Sequence, residues 1–469
     1  MNVLPIYPEL IMAIGAFLVI LLGLVTQNNK VLAGLSAVIA LFSLATILLN
    51  FSKSTTLLSN TIQITSLGNI FNLLFITSLL FTLYASVKDT KSRPEIFYAL
   101  LLFATLGMMF VSFSNNLIMI FVAFETSSIA TYAVTAYNKD KRTLEASLKY
   151  FVTGAVSSAF LVFGISYLYL ASGSFNFNVI STVSNTYSII GLVLLVVGFG
   201  FKLALFPFHS WAVDTYTGAR SSISAFLSTG SKLMALIAIL RLVVFAFYGM
   251  KYDVYIIFAI LAVLTMSFGN IVALVQKDVK RMLAYSSIAN AGYLSLFFVM
   301  AGYTYNYTIL GYGLAALLIF SIAYLFMKAG MFIATIPFDD KNASMDRFAG
   351  LGKKAPLFGV ATALLLMSLA GIPPTIGFVG KYYLFLALIE SHLLWLAIIA
   401  IINSAISVYY YFRVIMYMYW KPAIEEIKIG TEALIPVFVA AVAVIVLGVL
   451  SPFLIGYLNH IATTFLGGI

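Results

Sequence analysis

The chain has 469 residues, 62% of them hydrophobic and 9% charged, with a net charge of +10 and a mean hydropathy of +1.06. No water-soluble core is proportioned this way. The class is integral membrane, and the surplus of cations belongs to membrane-flanking loops, not to a nucleic-acid partner. There is no cysteine, which excludes thiolate-held iron–sulfur clusters and disulfides within this chain, and the first ten residues lack the basic start of a cleaved signal peptide.

Apolar runs between polar breaks predict about fourteen spans. They lie near residues 8–26, 31–50, 66–87, 95–113, 116–137, 147–172, 186–214, 222–248, 253–275, 281–302, 309–336, 355–388, 392–419 and 433–458. Five ionisable side chains inside them stand out: Glu125 midway along the fifth, Lys202 in the seventh, Lys232 at the centre of the eighth, Lys328 in the eleventh and Lys381 in the twelfth. Such a group costs about 2.5–3.5 kcal/mol at mid-bilayer depth on insertion scales, so several in one chain point to an ion or proton path. The plainer alternatives are a buried structural pair or, for Lys328 and Lys381, solvation by water at a helix break. Arg241 and Arg413 lie near span ends and are expected to snorkel to the headgroups. His209, after Pro207, is a candidate proton relay or an interfacial polar residue. The 28 Tyr and 40 Phe are expected mostly at lipid-facing and interfacial positions.

The remaining cations divide unequally between alternate loops. Eighteen of the 26 fall on one side, only Lys53 and Lys251 on the other, and six lie inside spans. The positive-inside rule makes the cation-rich side cytoplasmic, with both termini outside.

Proline interrupts the seventh span at Pro207 and the twelfth at Pro373 and Pro374. In lipid such a break is tolerated only where protein or water satisfies the freed backbone. Spans four to eight and nine to thirteen are each five helices long, with the broken helix fourth in both, the pattern of an inverted repeat. The expected architecture is therefore an all-α membrane protein of about fourteen helices with two five-helix bundles. Its parts are 1–94 (three N-terminal helices), 95–248 (first repeat), 249–420 (second repeat) and 421–469 (a loop and the last helix).

Several stretches resemble one family. They are SNNLIMIFVAFETSSIATYAVTAYNKDKRTLEASLKYFVTGAVSSA, GFGFKLALFPFHSWAVDTYTGA, STGSKLMAL, NIVALVQKDVKRMLAYSSIANAGY and GLGKKAPLFGVATALLLMSLAGIPPTIGFVGKYYLF. Over roughly residues 65–420 the chain is similar to the antiporter-type subunits of respiratory complex I, the proton-translocating NADH:quinone oxidoreductase. VDTYTGA followed by STGSK resembles the wording of its N branch, relatives of mitochondrial subunit 2. The long lateral helix of the L branch is not expected, since about eleven residues follow the last span.

The resemblance implies a proton path through Glu125, Lys202, Lys232 and Lys381, with Lys328 standing where most N subunits are expected to have Asn. It also implies a multi-pass protein of the inner (cytoplasmic) membrane with no cofactor of its own. Quinone, flavin and iron–sulfur clusters would then belong to partner subunits, among them antiporter-like M and L types and small membrane subunits. GARSSIS stands where the family usually has proline after the GA pair, so a different turn into the eighth helix is expected. On this reading Glu125 pairs with Lys202 in one state, and loosening that pair passes a proton toward Lys232 and out by way of Lys328 or Lys381. The physical basis is that burial disfavours a charged lysine and a neighbouring carboxylate favours it. The rival functions are a subunit of a cation/proton antiporter or of a membrane-bound hydrogenase, a coupling scaffold, and a complex fed by ferredoxin or deazaflavin.

Overall fold

The computed structural model describes residues 6–90, 92–424 and 427–467. Lys91, one of the loop cations, and Ile469 lie outside them. The chain is helical almost throughout: α1 Tyr7–Gly23, α2 Asn29–Leu49, α3 Ser66–Ala85, α4 Pro94–Phe113, α5 Leu117–Thr135, α6 Lys141–Ser172, α7 Phe177–Ile180, α8 Thr186–Leu203, α9 Ser210–Gly218, α10 Ser221–Phe226, α11 Lys232–Arg241, α12 Lys251–Leu274, α13 Val279–Tyr303, α14 Tyr307–Ile333, α15 Leu351–Lys354, α16 Pro356–Ala370, α17 Ile376–Glu390, α18 Leu394–Trp420, α19 Thr431–Val449 and α20 Ser451–Leu466. Among the described residues, twelve helical segments are long and apolar enough to cross a membrane. The 17-residue α1 and the broken pair α16 and α17 complete the fourteen predicted spans. The last predicted span divides at Leu450 into α19 and α20.

The helices gather into two compact units. One holds the residues up to Ala204 with Gly230–Val254, the other Leu205–Thr229 with the residues from Tyr255 onward. In the first, α1 packs on α2 and α4, α4 on α3 and α5, α6 on α8, and α11 on α3, α4 and α8. Small residues set the closest approach: a Cβ on Gly198 of α8 would lie 2.4 Å from Leu161 Cδ2 of α6, the backbone proximity that membrane helices gain from glycine. In the second unit α14 is the hub, packed against α10, α13, α16, α17, α19 and α20.

Two helix breaks share the same local form. Helix α8 ends at Ala204 in the left-handed region (φ 61°), and α16 ends at Gly371 (φ 86°). In both, a cis-proline follows three residues later, at Pro207 and Pro374.

Two expectations are corrected by packing. Arg241 does not snorkel: it is fully buried and donates to Ser112 O at 3.0 Å, Ser114 O at 2.5 Å and Gln63 Oε1 at 2.9 Å. Arg413 likewise turns inward, donating to Leu274 O at 2.8 Å and Gln276 O at 2.5 Å. Both guanidiniums cap helix C-termini, of α4 and α12, where carbonyls lack intrahelical partners and the helix dipole favours a cation. The Arg241 contact to Gln63 also holds a hairpin between α2 and α3, Thr55–Leu57 paired with Ile62–Ile64. Arg241→Met is expected to cost about 1–3 kcal/mol for each carbonyl left unpaired, read as an earlier thermal transition of the detergent-solubilised protein.

Candidate functional site

In the first unit, Lys202 occupies the last turn of α8 and is 1% exposed. Its Nζ donates to Tyr150 Oη at 2.5 Å, Ser128 Oγ at 3.2 Å and Thr131 Oγ1 at 3.4 Å. The rings of Tyr150 and Tyr132 lie 4.8 and 5.3 Å from it. The ammonium thus sits in a cage of hydroxyls and aromatic faces, which solvate a cation without an opposing charge. Glu125, one turn before Ser128 on α5, is half-buried, and its Oε1 accepts from Ser158 Oγ of α6 at 2.7 Å. Among the described residues no ion pair joins Glu125 to Lys202, and each group has hydrogen-bond partners of its own. The reason is local. Ser128 and Thr131 on α5 and Tyr150 on α6 reach the ammonium, while Ser158 holds the carboxylate on another part of the α5–α6 seam.

Lys232 is 0% exposed and opens α11 directly after a π-helical turn, Leu227–Ser231. Such turns interrupt the hydrogen-bond ladder and recur at functional positions. Beside it, Gly230 N donates to Ser78 Oγ of α3 at 3.3 Å.

In the second unit, Lys328 on α14 is 0% exposed and donates to Leu283 O at 3.1 Å and to Ser286 Oγ, both on α13. Lys381 on α17 is 4% exposed. Its Nζ donates to Leu369 O at 2.9 Å, Ala370 O at 3.4 Å and Ser404 Oγ at 3.1 Å, and lies 5.3 Å from the Tyr293 ring. It therefore caps the carbonyl end of broken α16. A buried polar string runs on from Tyr293. Asn270 Nδ2 donates to Tyr293 Oη at 3.3 Å and to Asn403 Oδ1 at 3.2 Å, and Asn270 Oδ1 accepts from Tyr410 Oη at 2.9 Å. Next to Lys328, Ser287 Oγ and Tyr324 Oη share a 2.6 Å hydrogen bond, and Tyr324 donates to Ser228 O at 2.8 Å. His209 is 9% exposed and packs between the rings of Phe206 and Phe268, at 5.4 and 4.4 Å.

Near the start of α13, Lys280 pairs with Asp339 at 2.9 Å and donates to Ala219 O at 2.6 Å. The same carboxylate accepts from Ser221 N at 2.8 Å and Ser221 Oγ at 2.6 Å. Lys280 counted as a loop cation in the sequence, yet its side chain is 2% exposed. The GARSSIS turn does not depart from a proline-compatible path: Arg220 adopts φ −59° and ψ 148°, and its side chain reaches Asp340 at 3.1 Å. Asp339→Asn leaves a buried ammonium without its counter-charge, a loss worth about 3–5 kcal/mol. The expected outcome is a clearly lower yield of folded protein, scored by detergent extraction and thermal melting.

Sequence reasoning found the charges and missed the neutral groups that hold them. Tyr150, Tyr293, Tyr324 and Tyr410 are fully buried, exceptions to the general expectation of lipid-facing and interfacial tyrosines. A signal existed in part, since Ser128 and Thr131 follow Glu125 at three-residue steps along one helical face. The sequence has no cysteine, and among the described residues no three His, Asp or Glu side chains gather where a metal ion could bind.

The profile of the family described as "NADH:quinone oxidoreductase/Mrp antiporter, TM" matches residues 114–407. The chain is 42% identical over 400 residues to F(420)H(2) dehydrogenase subunit N of Methanosarcina mazei, covering 81% of this chain and 80% of that one. It is also 42% identical over 340 residues to NADH-quinone oxidoreductase subunit N of Trichlorobacter lovleyi, covering 70% and 68%. Among solved structures, a chain of respiratory complex I from Thermus thermophilus superposes with a TM-score of 0.84 at 30% identity, over 96% of this chain and 98% of that one.

Proposed function

Because the chain belongs to the NADH:quinone oxidoreductase/Mrp antiporter transmembrane family, we propose that its function as a membrane-arm, antiporter-like subunit is to carry protons while electrons reach quinone through partner chains. The observation that carries the reading is chemical. Lys202, Lys232, Lys328 and Lys381 are all buried within helices, and the partners seen for Lys202, Lys328 and Lys381 are hydroxyls and carbonyls. Such partners stabilise an ammonium less firmly than a carboxylate does, so each lysine is able both to hold and to release a proton. In the first unit Glu125, Lys202 and Lys232 are the proton-carrying groups. In the second, Lys328 and Lys381 take that role, the Asn270–Tyr293–Tyr410 string orients water and hydroxyls, and His209 is at most an accessory relay.

Glu125 is half-exposed in the isolated chain, the exposure expected of a carboxylate that faces a neighbouring antiporter-like subunit. A change of charge in that neighbour would draw Glu125 toward or away from the Lys202 cage and so set whether Lys202 keeps its proton. The redox groups belong to partners, and relatives named for F(420)H(2) and for NADH are both 42% identical to the chain, over 400 and 340 residues. Purifying the complex, identifying its co-purifying chains and supplying NADH or a reduced deazaflavin decides the donor. A complex that contains no quinone-reducing partner would overturn the respiratory assignment in favour of an antiporter.

The chain lies in the cytoplasmic membrane with both termini outside, on the strength of the loop cations. A cysteine at position 138, in the turn after α5, is expected to resist a membrane-impermeant thiol reagent in intact cells and to react in inverted vesicles. One at position 469 is expected to react in intact cells. Labelling of position 138 from outside reverses the topology.

A further inference from the structure

A carboxyl group that none of these steps uses lies among the first helices. Glu9 is in the first turn of α1, yet it is 1% exposed. Its Oε1 accepts from Asn72 Nδ2 of α3 at 3.1 Å, and Asn72 Oδ1 accepts from Ser112 Oγ of α4 at 2.8 Å. Asn72 and Ser112 are fully buried. The second carboxyl oxygen, Oε2, is buried and has no hydrogen-bond partner among the described residues.

The elements packed around Glu9 bring little charge to it. From α2, Ser43 donates to Pro8 O; from α4 come Ser112 and, at the opposite end of that helix, Glu95. Arg241 commits its guanidinium to Ser112 O, Ser114 O and Gln63. Among the described residues no cation forms an ion pair with Glu9. An ionised carboxylate held by one neutral donor in a buried site is strongly disfavoured, whereas a protonated one fits the arrangement: Oε1 accepts from the amide and Oε2 carries the hydrogen. The group is also close to the membrane face. It lies two positions after the 40%-exposed Tyr7, about 3 Å along the helix axis.

We propose that Glu9 is a further proton-binding site of the first unit, a carboxyl that takes up and returns a proton at the membrane face where α1 begins. In uptake a hydronium at that face gives its proton to Oε2, forming the O–H bond and leaving water, and release is the reverse. Asn72 fixes the orientation by donating to Oε1, so that Oε2 is the oxygen that exchanges. The site stands outside the lysine path and does not depend on it.

The test is infrared spectroscopy of the purified complex in H2O and D2O. Expected is a carboxylic C=O band that shifts on transfer to D2O, is missing from Glu9→Gln, and moves to higher wavenumber in Asn72→Ala, where its hydrogen bond is lost. Should Glu9→Gln fail to assemble, the band shift in Asn72→Ala decides alone. A parental spectrum unchanged by Glu9→Gln, a band indifferent to D2O, or a band unmoved in Asn72→Ala would overturn the proposal. The second of these marks a sealed structural acid that only pins α1 to α3.

Discussion

Lys232→Met is expected to abolish proton movement in a complex that still assembles. The side chain is 0% exposed and follows the π-helical turn of its helix, so neither headgroups nor bulk water are in reach of a snorkelling stem. Methionine matches the length and apolar volume of the lysine stem and removes the one titratable atom group. A positioned acid–base group contributes about 10²–10⁴ in rate, and the low end of that range is the expected fall in proton uptake. In a tightly coupled complex, donor-to-quinone turnover falls with it. Lys232→Arg should fail as well, because a guanidinium stays protonated and does not release what it binds. Both rates are measured in membrane vesicles and normalised to assembled complex. A Met variant pumping at the parental rate would make Lys232 a structural residue.

The sequence carried the span count and both helix breaks because hydropathy and proline act locally. The apolar runs that end at Lys202 and resume after Pro207 become α8 and α9, and those around Pro373 and Pro374 become α16 and α17. Partner choice is not local. Whether Arg241 reaches a headgroup or the end of α4 depends on where α4 stops, and the acceptor there, Ser114 O, is 127 residues from Arg241 in the sequence. Nothing in its own span distinguishes the two outcomes. The same holds for Tyr150 and Tyr410, which by composition are indistinguishable from interfacial tyrosines and find their partners, the Lys202 ammonium and Asn270, only through α8 and α12. Glu9 escaped notice for the opposite reason: near a chain start a carboxylate reads as solvated, and only the packing of α3 and α4 buries it.

The two breaks are alike in backbone and unlike in how they use lysine, and the difference sets the most discriminating experiment. Lys202 precedes its break and points away to hydroxyls of α5 and α6. Lys381 follows its break and folds back onto Leu369 O and Ala370 O, the open carbonyl end of α16. A Cβ on Gly371 would lie 3.3 Å from Lys381 Cδ, so the glycine that permits the left-handed turn also clears space for the lysine stem.

On the proposed reading Lys381 has two separable duties, capping and proton transfer. Lys381→Met removes both. Two carbonyls lose a charged donor at about 1–3 kcal/mol each, so both the amount of assembled complex and the proton uptake per complex are expected to drop. Lys381→Arg keeps a cation at the helix end and deletes the exchangeable proton. Assembly, read from native-gel abundance, is then expected to stay near the parental level while proton uptake per complex is lost. If the Arg variant pumps normally, the lysine is a helix cap and the proton leaves the second unit by another group; if it neither assembles nor pumps, the site requires the shape of lysine as well as its charge.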